Sequence, residues 1–483
     1  RDQPRSRGLG DVYKRQMINS RKLQITGLSM LSLVGSGCTD KNGSIENGVR
    51  PNIVLFLADD IGAECFGCMG GVSYDTHIID SLAEKSLFFP NMHAQPLSSP
   101  SRVQLMTGLY NDKNYVCFGY MNDDEPTFSQ LAQQAGYTTG MFGKWQLGSS
   151  REMPTRLGWD EWCLFQLEVY KEFNGPTGTD RYANCMMDNH GHYEYSIYGP
   201  DGFESAAFEF LDKQKDSDKP FLLYYSTPLV HTPHTPTPDS ESWDLDFAGR
   251  FQKDTANFKD MVAYLDKKVG RMIDRLKRNG QWENTIFIFT SDNGTSTRIV
   301  SQMADGTLRR GGKGDPRGIG TSVPLIICWG DKLEPRESQR LVDFTDFFLT
   351  FADAMRIAVP EEYGLDGVSL FPEIVGEKPL EKEISLMHYN PLWPVAAAPY
   401  ASRAARTTEW KYYWDGRFYN TKTDFMEEHP IDIDTCSNEI KTIYAKLKAK
   451  VEECPNFYPD MPGAPRRGNY GTFYDFAEPN NPF

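Results

Sequence analysis

The sequence predicts an α/β fold, a large and mostly parallel sheet flanked by helices, followed by a smaller subdomain built on an antiparallel sheet. Three observations predict it. Continuous apolar runs of five to seven residues recur along the chain with amphipathic helical patterns between them. Runs of that kind fit strands buried on both faces, as in parallel sheets. Two of them end abruptly in acids, and past about residue 378 the alternation gives way to a hairpin pattern.

The elements follow in order. Residues 1–16 read as a non-native scar and are set aside. From Met17 to Cys38 the pattern is an export signal: a basic start at Arg21 and Lys22, an apolar and small-residue stretch over Ile25–Gly35, then Ser36-Gly37-Cys38. Small residues before a cysteine suggest a bacterial lipoprotein anchored through Cys38, either periplasmic or on the outer membrane; a plain signal peptide containing a cysteine is the alternative. Residues 39–51 are a polar linker. The catalytic body is expected over 52–378 and the C-terminal subdomain over 379–483. Strands are expected at Asn52–Ala58, Thr138–Phe142, Phe221–Ser226, Thr285–Thr290 and Pro324–Trp329. Helices are expected at Ile78–Ser86, Thr127–Ala135, Phe203–Lys213 and Ala256–Arg278. In the last of these, Met261, Leu265, Val269, Ile273 and Leu276 fall on one face. A hairpin is expected around Asp415-Gly416, a helix over Ser437–Cys454, and an irregular strap over Asn456–Phe483.

Composition bounds the function. The 483 residues carry a net charge of -15, so no nucleic-acid partner is expected, and binding of an anionic ester would need positive potential built locally. Of nine cysteines, Cys65 and Cys68 are close, but no second pair completes a zinc pattern.

Four constellations carry chemistry. Asp59-Asp60 and Asp292-Asn293 follow two strands, where sheets of this class bind ligands. They offer the hard oxygen donors that calcium prefers, although each pair alone fits a solvated turn equally well. The segment Ser98-Ser99-Pro100-Ser101-Arg102 reads as a helix start, whose free N–H groups suit an anion, with a guanidinium one turn in; alone, it is an ordinary capped helix. Lys144 and Gln146 lie in Gly143–Gly148, and Lys313 follows two glycines. His231 and His234 share a proline-rich loop. An isolated lysine or histidine in such places is usually a surface or structural residue. Asp188, Asn189, His190 and His192 form a further polar cluster, read as a mobile substrate loop or a second metal site. Trp393, Tyr400 and Arg403 are candidates either for sugar contacts or for core packing.

Taken together and in this order, these segments resemble the formylglycine-dependent sulfatases of the alkaline-phosphatase-like superfamily, from about Pro51 to the C-terminal hairpin. The most specific element is Ser/Cys-x-Pro-Ser-Arg followed by Leu-x-Thr-Gly, met by Ser98–Arg102 and Leu105–Gly108. The resemblance implies that a radical-SAM maturase oxidises Ser98 to formylglycine, whose hydrate supplies the nucleophile. It also implies that Asp59, Asp60, Asp292, Asn293 and the modified Ser98 hold Ca2+. Arg102 would hold the nucleophile, while Lys144 and Lys313 would bind sulfate oxygens. His231 would face the bridging oxygen, on a sulfated carbohydrate substrate. Gln146 stands where the family commonly has histidine, in a position that contacts sulfate. Glutamine is no base at neutral pH, which leaves either a slower release of sulfate or another group in that role. Phosphonate or phosphodiester hydrolysis, and non-catalytic binding of sulfated glycans, are the competing readings.

Overall fold

The computed structural model describes residues 50–122, 124–148, 152–165, 181–243, 250, 253–391 and 401–454. The export segment with Cys38, most of the linker, Trp393, Tyr400 and the 456–483 tail lie outside these residues.

One sheet organises the chain. Its order is Arg336–Glu337, Leu87–His93, Ser322–Trp329, Thr285–Ser291, Asn52–Ala58, Phe221–Ser226, Thr138–Lys144, Glu161–Phe165, Ala183–Asn189 and His192–Tyr198, with Val342–Asp343 also pairing Leu87–His93. The five strands from Thr285–Ser291 to Glu161–Phe165 are parallel. In the register, Ala58 lies opposite Ser291, Leu57 opposite Ser226, and Gly143 opposite Ser226. The chain positions that follow these residues, Asp59, Asp292 and Lys144, therefore emerge along a single edge.

The apolar run 324–329 does form a strand, starting at Ser322, but it runs antiparallel to its neighbours. A buried apolar run carries no mark of direction, so its sequence could not show this. The reversal has a consequence for the site. Leu87–His93 pairs antiparallel with Ser322–Trp329 and so delivers its C-terminal end, and the 94–98 segment beyond it, to the same edge.

The expected helices form, with shifted ends. The third spans Gly199–Lys213, because Pro200 is tolerated in a first turn rather than breaking it. The Phe258–Arg278 helix buries Met261, Leu265, Val269, Ile273 and Leu276. From the same helix, Asp266 accepts hydrogen bonds from the backbone N–H groups of Ile78 and Ile79 at 3.0 and 2.8 Å. It thereby fixes the start of the His77–Glu84 helix, which has no side-chain cap of its own.

The C-terminal sheet pairs Ser385–Tyr389, Ser402–Arg406, Trp410–Tyr413 and Phe418–Asn420, all antiparallel. The Asn438–Glu452 helix covers it, capped by Ser437. The 188–192 cluster is not a loop. It closes a hairpin between Ala183–Asn189 and His192–Tyr198, in which His190 stacks on Trp162 and accepts its backbone N–H at 2.9 Å. Asp188 accepts from Gly191 N–H at 2.7 Å, so turn geometry accounts for these residues. Arg403 lies over the Trp414 ring and donates to the Cys454 carbonyl at 3.3 Å, which is packing within the C-terminal part.

Gly143 shows how tightly the site's edge is built. Its φ is +109°, and a Cβ there would sit 2.0 Å from the Ser226 carbonyl oxygen. Gly143→Ala is expected to cost more than about 2 kcal/mol and to displace Lys144. A lowered thermal midpoint together with reduced turnover, compared with Gly136→Ala at another positive-φ glycine with open surroundings, checks this.

Candidate active site

Asp59, Asp60, Asp292 and Asn293 meet where two neighbouring parallel strands end, and all four are fully buried. Asp60 N–H donates to Asp292 Oδ1 at 3.1 Å, tying the two strand ends together. Asn293 Nδ2 donates to Asp60 Oδ1 at 2.8 Å, which turns its carbonyl oxygen toward Ser98. Ser98 Oγ donates to that oxygen at 3.1 Å and lies 3.4 Å from Asp59 Oδ1. Five buried, oxygen-bearing side chains thus converge.

Ser98 opens the Ser98–Thr107 helix, every residue of which is buried. No side chain caps that helix, and Leu97 at its N-cap is extended. Its opening N–H groups therefore lend their positive partial charge to the site. Arg102, one turn in, is fully buried. Its Nε and one terminal nitrogen donate to Asp292 Oδ2 at 3.3 and 2.9 Å. The other terminal nitrogen donates to Ser226 Oγ and, at 3.3 Å, to Tyr224 OH. Tyr224 and Ser226 were not singled out from the sequence. Their two-residue spacing puts them on one strand face, which is the signal that could have found them. Burial opposes ionisation of Asp292, but Arg102 and Lys144 outweigh it and hold its pKa below the usual carboxylate range.

Lys144 completes the lower layer. Its ammonium donates to both Asp59 oxygens at 2.7 and 2.9 Å and to Ser98 Oγ at 2.9 Å. Burial pulls it down to about 8 against the attraction of Asp59. Asp59 is pushed up to about 7, first by burial and then by the nearby Asp292 and Asp60, against Lys144. The opposite side is more open. Lys313, with a side chain 23 % exposed, donates to Asp60 Oδ2 at 2.6 Å and approaches His231 Nε2 at 2.8 Å. Burial, then Arg181 and Lys313, keep His231 well below its ordinary pKa, so its imidazole is neutral. The ring lies between two cations, Lys313 at Nε2 and Arg181 at Nδ1, with the Thr232 carbonyl 2.6 Å from Nδ1.

A family model described as Sulfatase matches residues 51–357. The chain belongs to the sulfatase family. It is a sulfuric ester hydrolase of alkaline-phosphatase-like architecture. It is 30 % identical to the uncharacterized sulfatase YdeN of Escherichia coli, over 65 % of this chain and 58 % of that protein. It is 26 % identical to an N-acetylgalactosamine-6-O-sulfatase of Bacteroides thetaiotaomicron, over 74 % of this chain and 83 % of that one. Among solved structures, Ps i-CgsB in complex with k-i-k-neocarrahexaose superimposes with a TM-score of 0.68 at 25 % identity, covering 84 % of this chain and 92 % of that one.

In this sulfatase, Asp59, Asp60, Ser98, Arg102, Lys144, His231, Asp292, Asn293 and Lys313 come together. Gln146 is half-buried at a φ of +54°, and its backbone carbonyl accepts from Ser99 Oγ at 3.4 Å. Its Oε1 is shielded from solvent and accepts no hydrogen bond. The donor set fits a hard divalent cation. Three carboxylates, an amide oxygen and a hydroxyl oxygen are all hard ligands, and oxygens of Asp59 and Asp60 lie within 4.8 Å of one another and of His231. His231 is drawn away from metal ligation by Lys313 at Nε2. Arg181 against His231 had no sequence signal at all.

Arg102 is the nearer of two buried cations on Asp292, at 2.9 Å against 3.9 Å for Lys144. Arg102→Gln leaves that carboxylate without its guanidinium and is expected to destabilise the protein by about 3–5 kcal/mol. A fall in the denaturation midpoint well beyond that of a surface Arg278→Gln control checks this.

Proposed function

We propose that this sulfatase hydrolyses sulfate esters on a carbohydrate, with Ser98 as the precursor of formylglycine and with Asp59, Asp60, Asp292, Asn293 and the modified Ser98 as the ligands of a calcium ion. The observation that carries the reading is the placement of Ser98 Oγ. It sits at the start of a buried helix, within 3.4 Å of Asp59, Asn293 and Lys144 together. A plain helix cap would need none of these partners.

Calcium at the acids would polarise a sulfate oxygen and lower the pKa of a bound hydroxyl. Formylglycine at position 98 would supply, as its hydrate, a nucleophilic hydroxyl and a second hydroxyl whose collapse regenerates the aldehyde. The chain's own residues do the rest. Arg102 fixes Asp292 and holds the first helical turn. Lys144 lies beside position 98, where it neutralises charge on the attacking oxygen and on sulfate. Lys313 carries a proton toward the ester's bridging oxygen as the alcohol departs. His231, 2.8 Å from the Lys313 ammonium, aims it. The substrate class rests on the relatives: one is an N-acetylgalactosamine-6-O-sulfatase, and another holds a carrahexaose. Maturation of Ser98 by a radical-SAM enzyme, and export with a lipid anchor at Cys38, belong to the same proposal and rest on the sequence.

Co-expression with a radical-SAM sulfatase maturase should make the Ser98 peptide two hydrogens lighter in mass spectrometry and confer turnover of 4-nitrophenyl sulfate. Ser98→Ala should abolish that turnover. Faster hydrolysis of the matching phosphonate would replace the reaction assigned here, and an unmodified, inactive protein would favour glycan binding alone.

Gln146 supplies a second test. Its left-handed backbone is one that histidine tolerates. Gln146→His is expected to raise kcat for 4-nitrophenyl sulfate by roughly 10-fold or more, as a base is introduced beside sulfate. An unchanged kcat in steady-state assays would show that sulfate release does not limit the rate.

A further inference from the structure

A cavity of about 20 Å³ lies between the end of Leu87–His93 and the C-terminal sheet. His93, Gln95, Thr321, Ser385, Arg406 and Lys411 are among the residues that line it, and every lining residue is buried. A single water needs roughly 10–15 Å³ of such space, so there is room for one water or one monatomic ion and none for sulfate.

Two of the lining side chains are cations, and one carboxylate serves them. Lys411 donates to Glu427 Oε1 at 3.0 Å and to the Pro316 carbonyl at 2.6 Å. Glu427 also accepts from Tyr413 OH and, at 2.9 Å, from the Gly318 N–H. Asp315, which also attracts Lys411, is paired with Arg317 at 2.6 Å. Arg406 has no carboxylate partner among the described residues. Its guanidinium donates to the Thr407 carbonyl, His93 Nδ1 and Thr421 Oγ1 at 3.1, 3.0 and 3.2 Å. These bonds use three of its five N–H groups, and Lys411 has a third N–H of its own to give. Burial pulls Arg406 down to about 10, which still leaves it charged at neutral pH. Gln95 adds an independent sign. It is 4 % exposed, and its Oε1 accepts no hydrogen bond. A buried amide end without a partner, beside a cavity, marks a missing occupant.

We propose that this cavity binds one chloride ion, held by Arg406, Lys411 and the Gln95 amide. A halide only accepts hydrogen bonds, and it carries the single negative charge that Arg406 lacks. It therefore matches both the spare donors and the excess charge, whereas a water matches the size alone. The Gln95 carboxamide meets the ion with its NH2 after a half-turn about its last torsion, which exchanges two ends of nearly equal size. The site stands apart from sulfate hydrolysis and from the acids, but it backs onto them. Gln95 N–H donates to Ser101 Oγ at 3.0 Å, and Ser101 Oγ donates to the Asp292 carbonyl at 2.6 Å. The ion thus fastens the C-terminal sheet to the segment that carries Ser98.

The test is the thermal midpoint of the full-length protein as sodium gluconate is exchanged for sodium chloride at constant ionic strength; gluconate is too large to enter. A saturable rise of roughly 1–3 °C is expected. Arg406→Met should lose the chloride dependence, and Arg406→Lys, which keeps the charge, should retain part of it. Crystals of the native protein grown in sodium bromide give a reading that needs no variant: an anomalous bromide peak between Arg406, Lys411 and Gln95. A cavity that holds water and no bromide overturns the proposal. So does a midpoint indifferent to chloride, or a folded Arg406→Met that keeps the native dependence.

Discussion

Three carboxylates share one dry edge of a sheet, and the surrounding structure exists to contain their charge. Removing an ion from water costs several kcal/mol even after the protein relaxes. Asp59, Asp60 and Asp292 are all fully buried. Each is therefore given a cation, respectively Lys144, Lys313 and Arg102, at 2.7, 2.6 and 2.9 Å. The pairing is not symmetrical. Arg102 holds Asp292 ionised, while burial pushes Asp59 up and Lys144 down, toward each other. Under the proposed reading the same acids also receive a divalent cation, and the lysines an anionic group. That is the electrostatic character sulfate ester hydrolysis requires, built locally in a chain with a net charge of -15.

The fold supplies the edge, and its strand directions supply the convergence. Parallel strands bring Asp59, Lys144 and Asp292 out side by side. Leu87–His93 and the reversed Ser322–Trp329 then bring Ser98, beyond the end of the one, and Lys313, before the start of the other, to the same edge. Many unrelated activities use sheets of this kind, so the activity is argued from the side chains: a serine inside a cluster of acids, with a cation on each acid.

Much of this was legible in the sequence, for physical reasons. Asn52–Ala58 and Phe221–Ser226 were placed to the residue, because short apolar runs between polar turns have few other solutions. The acids at the strand ends stood out because hydrophobic runs rarely stop on two ionisable groups. What escaped was information the chain does not carry locally. The direction of Ser322–Trp329 depends on its neighbours. The strands Leu87–His93, Ser385–Tyr389 and Ser402–Arg406 contain Pro90, His388 or charged residues that hide their period. The 188–192 segment read as a mobile substrate loop or a second metal site, because histidine and aspartate serve tight turns as readily as loops or metals. Arg181 joins the site only through tertiary packing, and no spacing in the sequence points to it.

The central claim is that the buried acids form a cation site whose charge is balanced near neutrality. Calorimetric titration of calcium into chelator-treated protein, repeated from about pH 5.5 to about pH 8.5, tests it most directly. Asp59 must ionise for calcium to bind, and its pKa lies near 7. The account predicts affinity that rises with pH through about 7, protons released on binding below that point, and little further change above about pH 8. Absence of calcium binding, or affinity independent of pH with no proton release, would contradict it.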